Sequence, residues 1–400
     1  MNCLFFAKRS HPMYKTLLLV LSVYLSSTNA FLFAATESQE VARTETVYLL
    51  IHGLASSAET WSDLIKKNPS INNNCPKASL GGPVEYSLCY RYEFSDKKVN
   101  GVEWENGDGG TFQELGDEIG LAVANIENLV HPKSIILVGH SRGGLAARAY
   151  VQSLTAETPY RLALFTIGTP HQGSPFGRVQ HWLTDKGYAP DDVFGGDVPL
   201  LENSDQIKLL KTLLFSPSTG YLATAHNLEK KPVRNNVSAA IWDLNATVGN
   251  LGLYVATFGQ IHSDNFRLGV KTPGLLDTRV DLLSDPDLFN TPLLETLIPG
   301  DYLAMRKYIL ENTGTTQRNG KKWKCTDDEQ IRLNLGGWAC NGDSIVPSIS
   351  QRMKKIPGFA TNGKPFRYKS LYRIHHLKQL GQVTLISNML KLLAKDLAAL

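Results

Sequence analysis

The chain has 400 residues, 42% of them hydrophobic and 20% charged, with a formal net charge of +4. That balance excludes a disordered or fibrous chain and leaves room for a large buried core, in one long domain or two ordinary ones. No internal repeat period and no long low-complexity tract is visible, which excludes solenoid and array architectures.

The first thirty residues read differently from the rest. Lys8, Arg9 and Lys15 precede the apolar run Thr16–Leu25 (TLLLVLSVYL), which is followed by SSTNA. A basic start, a short apolar centre and a small-residue exit predict a secretory signal peptide over residues 1–30, cut after Ala30 or, alternatively, Ala35. The apolar run is too short to span a bilayer. Removing residues 1–30 lowers the formal charge from +4 to +1, so the basic balance gives no reason to expect a nucleic-acid partner. The expected location is therefore secreted or periplasmic. Four cysteines remain after the cut, Cys75, Cys89, Cys325 and Cys340. In an oxidising compartment they can pair in three ways, and proximity in sequence favours Cys75–Cys89 and Cys325–Cys340.

From Thr46 onward strand-like and helix-like stretches alternate. TVYLLIHG (46–53) is a β-rich apolar run ending in glycine, and 59–67 has a helical pattern. VEYSLCYRYEF (84–94) alternates as a strand, and 111–130 carries apolar residues at helical spacing. IILVG (135–139) reads as a strand, RGGLAARAYVQSL as a helix and RLALFTIG (161–168) as another strand. Such alternation implies a mostly parallel sheet flanked by helices, and continuous runs such as Ile135–Val138 suit strands buried on both faces. Beyond Gly168 the rhythm fails. Residues 172–330 are rich in Gly, Pro, Asn and Asp and too long for a loop, which predicts an inserted lid or cap between core segments 46–171 and 331–400. Within it, 204–215 (SDQIKLLKTLLF) has an amphipathic helical pattern with Ser204 as candidate cap. Residues 377–400 predict a second long amphipathic helix packed on the sheet.

GHSRG (139–143) has the form Gly-x-Ser-x-Gly. The pattern alone is weak evidence, but here it follows a buried strand and opens an alanine-rich helix, the setting of a nucleophile elbow. Gly139 and Gly143 would let the turn be sharp enough to lift the Ser141 oxygen clear of the sheet. Acyl transfer also needs two backbone N–H groups aimed at the oxygen that becomes negative. The residue after the serine, Arg142, and Leu54 in the HGLASS loop are the candidate oxyanion donors. His52, followed by glycine at a strand end, and His171 in TIGTPHQGS (166–174) read as structural rather than catalytic.

The set HGL, GHSRGG, GTPHQGS and GDSIVP resembles secreted bacterial lipases and esterases of the α/β-hydrolase family, over about 46–175 and again near 338–385. The resemblance implies that fold, an ester substrate and a serine-hydrolase mechanism with chain order Ser, acid, His. It points to Asp343 in NGDSIVP as the acid, with Asp264 and Asp301 as rivals. It points to His376 in IHHLKQLGQ as the base, with His375 as the alternative. A Cys325–Cys340 bridge would anchor the Asp343 loop. Many such lipases carry an acidic calcium ligand two residues after the histidine, whereas this chain has Lys378. No metal site and no organic cofactor is expected. The implied activity is carboxylic-ester hydrolysis of lipids, triacylglycerol among them, at a lipid–water interface. Acyltransferase, thioesterase and non-catalytic lipid-binding readings stay open on the same scaffold. Trp182, Phe194 and the leucines of 207–215 would form either a lid and acyl-binding wall or a second packed core.

Overall fold

The computed structural model describes residues 44–68, 71, 74–80, 85–155, 158–174, 176–194, 204–223, 239–246, 253–260, 267–270, 278–281, 301, 304, 317–318, 321–322, 345–346, 350–353, 356, 366–372 and 376–400. Among these, the central sheet has seven strands: β1 (Thr44–Ile51), β2 (Lys77–Ala78), β3 (Cys89–Tyr92), β4 (Pro132–His140), β5 (Arg161–Ile167), β6 (Leu253–Gln260) and β7 (Phe366–Tyr372). Their spatial order is β7-β6-β5-β4-β1-β3-β2, and every adjacent pair is parallel. Ile51 pairs with Gly139 and His140 with Ile167, so β1, β4 and β5 end level and deliver their following loops to one edge. Ligands bind outside the carboxyl ends of strands in sheets of this kind.

The period-two geometry of strands divides their apolar side chains between two cores. Val47, Leu49, Ile51, Ile135, Leu137 and Leu164 join one buried cluster, with Leu115, Ile119 and Ile126 of helix α2 (Phe112–Val130) and Ala146 and Ala147 of α3 (Arg142–Ser153). Tyr48, Leu50, Ile136, Val138 and Phe165 face the opposite cluster, with Leu64 of α1 (Ser62–Lys67) and Ile386, Leu390 and Leu393 of the C-terminal helix (Val383–Ala398). The continuous apolar runs of β1 and β4 follow from burial on both faces. Helix α2 starts from a capping box in which the Thr111 hydroxyl accepts from the Glu114 N–H and the Glu114 carboxylate accepts from the Thr111 N–H. It ends where His131 turns left-handed, φ 49°.

Four expectations change on the structure. Of the described residues 85–94 in the expected strand 84–94, only Cys89–Tyr92 is strand. Just before it the Tyr90 hydroxyl accepts from the Ser87 N–H and donates to the Glu85 carbonyl, and the Ser87 hydroxyl donates to Asn74, holding a turn in place of a ladder. Ser204 is the first residue of its helix, α5 (Ser204–Phe215), rather than a cap outside it. The C-terminal pattern breaks into a 3-10 turn, His376–Gly381, and the helix from Val383, which separates His376 from the long helix. Finally, β6 comes from inside 172–330 yet lies in the sheet between β5 and β7. That segment is therefore not wholly an insertion, and the boundaries 46–171, 172–330 and 331–400 do not delimit the sheet. Its apolar run LYVATFGQ lies among Gly- and Asn-rich flanks that hid the alternation.

Cys75 and Cys89 form the expected disulfide, tying the loop before β2 to the start of β3. Cys325 and Cys340 lie outside the described residues. Closing a loop of about 15 residues restricts the unfolded chain by about 3 kcal/mol. Replacing both cysteines by serine should lower unfolding stability by about 2–4 kcal/mol, read as a shifted midpoint in urea. An unchanged midpoint would show that the bridge does not stabilise the fold.

Candidate active site

The site grows from the reversal at the end of β4. Ser141 has φ 53° and ψ −126°, a conformation unfavourable for a residue with a Cβ, so the surroundings must impose it. Its N–H donates to the Ile167 carbonyl at 2.8 Å, which ties the turn to β5. Helix α3 starts one residue later and runs back close against β1. A Cβ on Gly143 would strike the His52 carbonyl oxygen, and one on Gly139 would strike the backbone of Gly144. These two glycines are what allow helix and strand to approach so closely.

Of the expected oxyanion donors, Leu54 stands on the loop after β1 and Arg142 is the first residue of α3, directly after Ser141. A Cβ on Gly53 would lie 2.8 Å from the Ser141 Cβ, which measures how near the β1 loop passes. Among the described residues, neither the Leu54 N–H nor the Arg142 N–H has a hydrogen-bond acceptor. That leaves two donors available to an incoming oxygen.

His376 opens the 3-10 turn after β7, and its side chain is buried. Its ring lies 4.9 Å from that of His140, centroid to centroid, and its carbonyl oxygen lies 3.3 Å from His140 Nε2. On the β5 side, Gly168 has φ +59°, and a Cβ there would sit 3.2 Å from His376 Cε1 and strike the Gln379 side chain. The fold thus brings His376 from the far end of the chain to the residue next to Ser141. His375, Asp343 and Asp264 lie outside the described residues. Asp301 accepts a hydrogen bond from the Tyr188 hydroxyl at 2.8 Å.

His52 and His171 occupy structural positions. His52 Nδ1 lies 2.9 Å from the Gly53 carbonyl oxygen, and the ring packs edge-on against Phe94. His171 Nε2 lies 3.1 Å from the Thr166 hydroxyl. Burial pushes His52 down to about 3 with a contribution from the Arg142 charge, pushes His140 down to about 3 with one from His376, and holds His171 well below its ordinary value.

The sequence did not single out the Arg142 side chain or Asp108. The guanidinium is fully buried; its Nη1 lies 3.0 Å from Asp108 Oδ1 and donates to the Gly107 carbonyl, and its Nη2 donates to the Asn106 carbonyl at 2.9 Å. Both Asp108 oxygens accept from the Ala55 N–H, at 3.2 and 3.1 Å. Burial pushes the Asp108 carboxyl up to about 6 against the opposing pull of Arg142. Asp108 lies in WENGDGG, where an aspartate among glycines reads only as a turn residue.

The apolar helix α5 belongs to a packed layer. Leu210, Leu213, Leu214 and Phe215 are buried, with α5 resting on α4 (Phe176–Asp185) and on Pro217–Gly220. Trp182 is buried as well, its ring stacked on Tyr188. Among the described residues no helix is long and apolar enough to cross a membrane, and no group of three His, Cys, Asp or Glu side chains could hold a metal.

Residues 44–184 match the family model of the PGAP1-like alpha/beta domain. This segment supplies β1 to β5 of the parallel sheet together with the Ser141 turn, and the chain has an α/β fold built on a mostly parallel sheet flanked by helices. No curated protein matches the chain. Among solved structures, the product of gene lin2722 from Listeria innocua shares 13% identity with a TM-score of 0.42, covering 86% of this chain and 92% of its own. The lipase BlEst2 of Bacillus licheniformis in mature form shares 15% identity with a TM-score of 0.39, over 90% and 95%. The esterase RhEst1 from Rhodococcus sp. ECU1013 shares 12% with a TM-score of 0.36, over 89% and 92%. Likenesses this distant carry nothing about activity.

Three of the buried histidines, His52, His140 and His171, have a consequence for stability. Their folded values lie below the unfolded value of about 6.5, so the unfolded chain binds more protons and stability rises with pH from about 3 to about 6.5. Asp108 acts oppositely between its unfolded value of 3.8 and about 6, but it is one group against three. The thermal unfolding midpoint should therefore fall as the pH is lowered from about 6.5 to about 5. A flat or rising midpoint would contradict the buried, neutral histidines.

Proposed function

We propose that the protein is a serine hydrolase that cleaves carboxylic esters through an acyl-enzyme. The observation that carries this reading is the Ser141 turn, with positive φ between a buried parallel strand and a helix N-terminus, flanked by two unpaired backbone N–H groups. Ser141 Oγ attacks the ester carbonyl and passes its proton to His376, which Asp343 holds in the correct tautomer. The Leu54 and Arg142 N–H groups receive the oxyanion. His376 then returns the proton to the leaving alcohol, and water attacks the acyl-enzyme to regenerate Ser141. The chemistry asks for no metal or organic cofactor.

The substrate class we assign is lipid-derived esters, with triacylglycerol among them. Support comes from the apolar layer of α4 and α5, which packs on Pro217–Gly220, where the Ser218 N–H donates to the Asp108 carbonyl at 3.3 Å beside the Arg142 side chain. A lid role for that layer requires it to separate from its present packing. Export belongs to the same reading, resting on the basic and apolar start of the chain, and the Cys75–Cys89 bridge supports an oxidising compartment.

Ser141→Ala should lower turnover of p-nitrophenyl esters by at least about a thousandfold, leaving what binding and the oxyanion donors achieve unaided. His376→Ala should match it while His375→Ala retains substantial activity, and Asp343→Ala should be more severe than Asp264→Ala or Asp301→Ala. An active Ser141→Ala protein would refute the mechanism; a dead His375→Ala beside an active His376→Ala would move the base by one residue. Within the active enzyme, rates should rise with acyl chain length and again when the ester passes into an emulsion. Preference for short soluble esters would make it an esterase.

A further inference from the structure

Two backbone donors form an oxyanion hole only if both peptide units are turned the right way, and a peptide in a glycine-containing loop can flip. The Leu54 N–H and the Gly53 carbonyl belong to one planar trans peptide and point in opposite directions. Whatever holds the Gly53 oxygen therefore aims the Leu54 N–H. That oxygen lies 2.9 Å from His52 Nδ1 and 3.5 Å from Arg142 Nη2. The next N–H along, that of Ala55, is gripped by both carboxylate oxygens of Asp108. Ala55 has φ 52°, a left-handed turn that a residue with a Cβ adopts reluctantly and that these bonds hold in place.

Resting on the serine-hydrolase reading, we infer that the buried Arg142–Asp108 ion pair is a positioning device that locks the Leu54 peptide towards Ser141. Arg142 then serves both halves of the oxyanion hole. Its own N–H is one donor, and its guanidinium restrains the peptide that carries the other. The pair is well placed for that restraint. The guanidinium is fixed from behind by the Gly107 and Asn106 carbonyls, faces the Phe94 ring at 5.5 Å, and lies 3.3 Å from the Ser218 hydroxyl. Asp108 is anchored through its own carbonyl, which accepts from the Ser216 hydroxyl and the Ser218 N–H. A lone salt bridge placed only for stability would have no need to reach both sides of the Gly53–Leu54–Ala55 segment.

The test compares wild type, Asp108→Asn, Arg142→Gln and the double variant. Removing one partner leaves a buried charge unpaired and threatens folding; removing both does not, so the double variant keeps the test available if a single one fails to fold. Active Ser141 is counted by fluorophosphonate uptake, and kcat and KM for a p-nitrophenyl ester are expressed per labelled site. Affinity for an alkylboronic acid, which becomes tetrahedral on the serine oxygen, is measured alongside. The double variant should lose about tenfold or more in kcat, less than the 10²–10³ of an outright donor deletion, with KM within about twofold and boronate affinity falling in parallel with kcat. Asp108→Glu should restore part of the loss. Unchanged kcat and boronate affinity in a double variant that labels at Ser141 would overturn the inference alone. Wild-type protein that takes up no fluorophosphonate would overturn the serine-hydrolase reading, and this inference with it.

Discussion

The architecture of the site depends on one close approach, that of helix α3 to the end of β1. The helix can lie there only because Gly143 carries no side chain to meet the His52 carbonyl and Gly139 none to meet Gly144. With the helix so near, the chain must reverse within one residue, and the reversal falls on Ser141 in a backbone conformation that side chains disfavour. The neighbouring strands absorb that cost. Register fixes Gly139 between Ile51 and Thr166, and the Ile167 carbonyl takes the Ser141 N–H. A strained serine is thus held by three parallel strands whose apolar side chains are buried on both faces.

The polar groups around this turn are arranged so that burial keeps most of them neutral. His52, His140 and His171 are all driven to the uncharged form by removal from water. A neutral His140 adds no second positive charge beside His376, the residue we propose as the base. The exception is Arg142 with Asp108, a charged pair in the core at a cost that geometry has to offset. Its bonds go to the backbone of the β1 loop and of the loop before α2, so the charges organise loops rather than fasten helices to the sheet.

Sequence exposed the parts of this arrangement whose physics is local. The apolar runs of β1, β4 and β5, the capped helix α2 and the Gly-x-Ser-x-Gly turn each announce themselves over a few residues. Cys75 and Cys89 could be paired by proximity. What sequence concealed depends on tertiary partners. β6 was lost among glycines and asparagines because its reason for being a strand is the edge offered by β5. Residues 85–88 alternate like a strand, yet the Ser87 and Tyr90 hydroxyls bond the backbone there into a turn. The leucines of α5 fit a lid or a core equally well by pattern, and packing against α4 decides their present environment. Asp108 carried no local signal, since its meaning lies in an arginine thirty-four positions later. His376 could be placed only by resemblance, and the fold sets it against His140 and Gly168.

The central claim is that Ser141 attacks an ester while Leu54 and Arg142 hold the oxygen. It is tested most directly by a crystal structure of the protein inactivated with an alkylphosphonate ester. Phosphorus should be bonded to Ser141 Oγ, with a phosphoryl oxygen at about 2.7–3.1 Å from the Leu54 and Arg142 nitrogens and the His376 ring within hydrogen-bond reach of the serine oxygen. Phosphorus on another residue, or on Ser141 with its phosphoryl oxygen turned away from both nitrogens, would contradict it.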